Sequence, residues 1–192
     1  MSETGAARPG WREDLPIYAI LLLLLVIAAS VLYAVSLSRP DNAAGMPHPD
    51  LPGMMVGGDG AARWAPIAGA VYVFHTAFMI LGGLLFYLGV PVHRRGWRIT
   101  LVLAAVTAVM LLVTHALHQS YTLFLETGLT VFMGGFPAPA FLALFATWGA
   151  YVLYDILFVV AFRHVFLNAE DEAAFNALAA EMKALRENGA AG

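Results

Sequence analysis

The chain has 192 residues, 60% of them hydrophobic and only 12% charged, with a formal charge of -3. A soluble domain carries about 25% charged residues, so too little polar surface is left to coat a water-soluble globule, and composition argues against a soluble enzyme or a disordered tail. A net negative charge argues against a nucleic-acid partner, which calls for a basic surface. With no cysteine there are no disulfides, thiolate metal ligands or cysteine nucleophile.

The expected class is an all-α integral membrane protein, a four-transmembrane-helix bundle followed by a cytoplasmic amphipathic helix. A membrane-crossing helix needs about 20 mostly apolar residues. The pattern predicts such spans over 17–37, 66–90, 99–119 and 139–162, with an N-terminal tail over 1–16 and outer loops over 38–65 and 120–138. The first apolar run is longer than the roughly 7–15 residues of a signal-peptide core. Its flank mixes Arg8 and Arg12 with Glu3, Glu13 and Asp14, so it reads as a retained helix.

Positive charge sets the expected orientation. The turn between the second and third spans holds Arg94, Arg95 and Arg98, and the fourth span ends in Arg163. Both termini are therefore expected in the cytoplasm, in a bacterial inner membrane.

The first outer loop, rich in Pro, Gly and Met, reads as an irregular cap. His48 with Met46, Met54 and Met55 offers soft ligands of the kind copper takes. The second loop is mostly apolar, and Gly134-Gly135-Phe136-Pro137 breaks it.

Ionisable groups at membrane depth are costly and mark functional candidates. In the second span, a stripe through Ala68, Tyr72, His75, Met79 and Gly82 suits a helix contact. The third holds His115 and His118 one turn apart, with Tyr121 beyond them and Glu126 in the following loop. With the third span ending near Gln119, His75 lies about 13 Å below the outer end, His115 about 6 Å and His118 about 2 Å. That mismatch counts against haem b on His75 and His115, and more so against a His75–His118 pair. Metal binding by His115, His118 and Glu126, and quinone binding by the histidines with Tyr72 and Tyr121, are further readings. The bland account is helix packing through neutral imidazoles.

In the fourth span, Asp155 is expected to form an ion pair with Arg98. The tail from 168 to 192 begins with Asn168, a helix-capping residue, before Glu170, Asp171 and Glu172. Phe175, Leu178, Met182 and Leu185 then recur at helical spacing. The stripe either packs on the bundle or docks a partner.

No nucleotide loop, zincin helix or nucleophile elbow is present in the sequence. The functional expectation is a non-enzymatic accessory subunit, without a cofactor of its own, of a larger membrane assembly. Its partners are lipid and either a larger membrane protein or a second copy. The alternative is a redox subunit holding haem b, copper or another metal, or quinone at His75, His115 and His118.

Overall fold

The computed structural model describes residues 11–40 and 45–189. Most of the expected N-terminal tail, with Glu3 and Arg8, lies outside the described residues. Four helices are long and apolar enough to cross a membrane.

Helix α1 (Trp11–Ser36) starts six residues before the apolar run and carries Pro16 inside it, beyond the first turn, where the absent N–H leaves one i→i−4 bond unmade. From residue 45 on, the first loop holds regular elements rather than only an irregular cap. Strands β1 (Met46–Pro47) and β2 (Met55–Val56) pair antiparallel. The short helix α2 (Gly60–Trp64) follows, capped by Asp59, whose Oδ1 accepts from the Ala61 and Ala62 N–H groups at 2.9 and 3.1 Å.

Helix α3 (Ala68–Gly89) leads through a tight turn to α4 (Trp97–Thr127). Here the helix runs about two turns beyond the expected end of the third span. A polar run from His115 to Tyr121 reads as the end of a span, yet the helix continues because nothing in Ser120–Thr127 breaks it. It ends at Gly128, whose φ of 69° provides the left-handed cap. The loop after α4 is therefore short. Strands β3 (Phe132–Met133) and β4 (Phe136–Pro137) form a hairpin around Gly134 and Gly135, both at positive φ.

The last apolar rod runs from Ala138 to Phe166. It comprises α5 (Ala138–Phe141), a π turn over Leu142–Ala146, α6 (Thr147–Ala161) and a second π turn over Phe162–Phe166. Helix α7 (Ala169–Gly189) ends the described chain.

Helices α3, α4 and α6 share the core, built on Met79, Val90, Leu103, Met110, Ala150 and Tyr154, while α1 lies against α3. Phe86 of α3 stacks on Tyr154 of α6 with ring centroids 4.4 Å apart. Gly83 of α3 faces Thr107 and Tyr154, the close approach that small residues permit between membrane helices.

The base of α7 is tied down. The Asp171 N–H donates to Asn168 Oδ1 at 2.9 Å, and the Asn168 N–H donates back to Asp171 Oδ2 at 3.2 Å, a reciprocal cap. Arg94, in the α3–α4 turn, pairs with Asp171 at 2.7 Å and donates to the Val165 carbonyl at 3.2 Å. Arg163 meets Glu172 at 2.7 Å.

Candidate functional site

The polar residues of α3 and α4 meet near the end of the bundle covered by α2. His75 Nδ1 lies 3.1 Å from His118 Nε2, a hydrogen bond between the two helices. His118 is 6% exposed, so this contact is shielded from the surroundings. Alongside it, the Tyr72 hydroxyl is 3.2 Å from His115 Nδ1. The Tyr72 ring stands edge-on to His118, with centroids 5.1 Å apart.

The depth mismatch expected between His75 and His118 is not found, since their ring nitrogens meet at 3.1 Å. Counted from Thr127, His118 lies about 14 Å down its helix, and His75 lies about 11 Å from Ala68. Helix α4 runs to Thr127, about two turns past the expected end near Gln119, so distance from that expected end does not measure where His118 sits against α3. His115, the nearer match on the sequence reading, bonds Tyr72 and is exposed.

Two residues from outside the expected site complete it. Trp64 of α2 packs on His118 at 5.4 Å and stands edge-on to Tyr121 at 4.8 Å. Its indole N–H donates to Thr122 Oγ1 at 3.1 Å, which fixes α2 over the histidines. A Trp bordering an apolar span is a known interfacial signal, and it was the available clue. Tyr121 itself lines an apolar pocket with Leu117, Phe124 and Pro139, away from the imidazole pair.

Other expected groupings are not brought together. Glu126 lies in the last turn of α4, about 12 Å along the helix from His118, too far to share an ion with it. His48 is engaged locally, its Nδ1 accepting from the Asp50 and Leu51 N–H groups at 3.0 and 3.2 Å, while Met46 and Met55 sit on the β1–β2 hairpin and Met54 gives its carbonyl to the His48 N–H. Among the described residues no three His, Cys, Asp or Glu side chains gather as a metal-holding group.

The Asp155–Arg98 ion pair is also absent among the described residues. The core takes Tyr154, the preceding residue, and one residue on a helix is a rotation of about 100°. Asp155 is consequently exposed on the flank of α6, and Arg98 lies over the Trp97 ring at 5.6 Å. Arg94, partly buried, is the arginine of this turn that pairs with an acid, at the base of α7. The α7 stripe does not pack on the bundle: Phe175, Leu178, Met182 and Leu185 are all exposed.

Comparison with known protein families, with curated proteins and with solved structures finds no match to this chain.

Proposed function

We propose that the chain is a non-enzymatic accessory subunit of a larger inner-membrane assembly, a transporter or a respiratory complex, with both termini in the cytoplasm. One observation carries this reading. Asp155 is exposed on α6, with no ion-pair or hydrogen-bond partner among the described residues. It lies about 16 Å from the Phe166 end of the rod, so a rod crossing a hydrocarbon layer about 30 Å thick would hold it near mid-depth. Leaving a carboxylate there against lipid costs about 2.5–3.5 kcal/mol on insertion scales, and such residues normally face protein or water. A partner helix supplying a donor to Asp155 removes that cost. The exposed α7 stripe, on a helix whose base is tied to the bundle by Arg94 and Asp171, gives the same partner a second contact on the cytoplasmic side.

The test is site-specific photocrosslinking from Val152 or Val159, which share the exposed flank with Asp155, with Leu101 on α4 as the lipid-facing control. A discrete adduct with another membrane protein from Val152 or Val159, lost in Asp155→Leu, supports the reading. Lipid adducts alone, with Asp155→Leu making the purified chain more stable, overturn it.

The meeting of His75 and His118 between α3 and α4 carries a second reading, a redox subunit using haem b, a metal ion or quinone, in which iron or another metal requires the 3.1 Å pair to open. A reduced-minus-oxidised spectrum of protein purified gently from native membranes tests the haem form. Haem bands lost in His75→Ala support it, and a flat spectrum ends it.

A further inference from the structure

We infer that the α3–α4 turn carries a binding site for one anionic phospholipid, its phosphate on Arg98 and an acyl chain along Ile99, Val102 and Val165. This goes beyond the accessory-subunit reading and does not depend on it.

The site is a cavity of about 480 Å³ between the start of α4 and the end of the last rod. Arg94 and Arg98 line it, and Ile99, Val102 and Val165 supply its apolar wall. Val102 lies one turn beyond Arg98 on α4, about 6 Å further along the helix axis. Charge and apolar wall thus follow each other in the order in which a phospholipid presents its phosphate and its chains. A small soluble anion has no use for such a wall.

The level is that of a membrane surface. No Asp, Glu, Lys or Arg occurs between Arg98 and Glu126, so Arg98 is the last charge before the apolar part of α4. Trp97 beside it is 72% exposed, and an exposed Trp at the edge of a span belongs to the headgroup region.

Charge pairing leaves Arg98 as the phosphate ligand. Arg94 is paired with Asp171, and Arg163 with Glu172. Arg95 donates to the Val90 and Leu88 carbonyls at 2.9 and 3.1 Å, closing the end of α3. Arg98 is exposed, lies over the Trp97 ring and has no ion-pair partner among the described residues. Its planar fork matches two phosphate oxygens. Gly96 borders the same cavity, and no side chain caps α4 there, so the first-turn N–H groups add to the positive potential. Basic pockets at the ends of membrane helices take anionic headgroups on this basis.

The experiment titrates the full chain, delipidated in detergent, with dioleoylphosphatidylglycerol or dioleoylphosphatidylcholine. Native mass spectrometry counts the lipids bound. The expected result is one phosphatidylglycerol per chain, held about fivefold or more tighter than phosphatidylcholine, the effect of about one interfacial charge. Arg98→Gln brings the two lipids level, and Arg98→Lys keeps part of the preference. Val102→Asn weakens phosphatidylglycerol binding with the arginine in place. Arg39→Gln, beyond the far end of α1, changes nothing. Circular dichroism establishes that each variant is folded. Equal binding of the two lipids by wild type overturns the inference, as does a folded Arg98→Gln that keeps the full preference. Millimolar inorganic phosphate that displaces the lipid, with Val102→Asn binding as well as wild type, also overturns it and assigns Arg98 to a free anion.

Discussion

The Tyr154 hydroxyl sits 2.7 Å from Thr107 Oγ1, and that oxygen donates in turn to the Leu103 carbonyl at 2.8 Å. Thr107 therefore accepts from Tyr154, and a short polar chain crosses from α6 to α4 inside an apolar core. Tyr154→Phe removes the bond while keeping the ring stacked on Phe86. The expected loss is about 0.6–1.7 kcal/mol, the range for interhelical hydrogen bonds in membranes. Reversible unfolding in mixed micelles measures it. No loss would mean that the ring alone supplies the contact.

Gly83 faces the same junction. A Cβ built there runs into Thr107 Oγ1 and lies 3.3 Å from the Tyr154 hydroxyl. Thr107 has little freedom to rotate away, because both of its hydrogen bonds would break. Gly83→Ala should destabilise the chain by about 1–3 kcal/mol, as overpacking does. Gly82→Ala meets nothing within 4 Å and should be neutral or stabilising by up to about 1 kcal/mol through helix propensity. Equal effects at the two positions would show that α3 and α4 do not approach at Gly83.

Arg94 and Asp171 tie the tail to the bundle, and their contact predicts a pH dependence. The Asn168 backbone N–H holds the Asp171 carboxyl below its ordinary range; burial opposes this, and the Arg94 guanidinium adds to the lowering. A depressed carboxyl contributes stability above its unfolded pKa, about 3.9, and loses it as pH falls through the lower folded value. Hydrogen exchange over the first turns of α7 should therefore quicken below about pH 4. Arg94→Ala should quicken it at neutral pH, whereas Arg98→Ala should not. Asp171→Asn should flatten the acid response, and an unchanged acid response in that variant would place its source elsewhere.

The cysteine-free chain makes orientation directly measurable. Leu51→Cys in the first outer loop should react with a membrane-impermeant maleimide in intact cells. Ala177→Cys on α7 should react only after permeabilisation. The reverse pattern would invert the topology and put α7 outside.

The amino-acid sequence determined, by itself, where apolar runs are long enough to span a membrane, because hydropathy is a local property summed over adjacent residues. It also determined the Asn168 cap and the tail stripe, which depend on neighbours within one or two turns. Only the tertiary structure decided which polar residues meet. The His75–His118 contact depends on how α3 and α4 pack against each other, and the polar run from His115 to Tyr121 resembles a span end when read in isolation. Whether Tyr154 or Asp155 enters the core depends on a rotation of α6 that its largely apolar sequence leaves open, and packing against Phe86, Gly83 and Thr107 selects Tyr154. Arg94 rather than Arg98 meets an acid because the α3–α4 turn aims it at the base of α7. Those choices belong to contacts between distant segments, where helix rotation and end position decide the partner and local pattern does not.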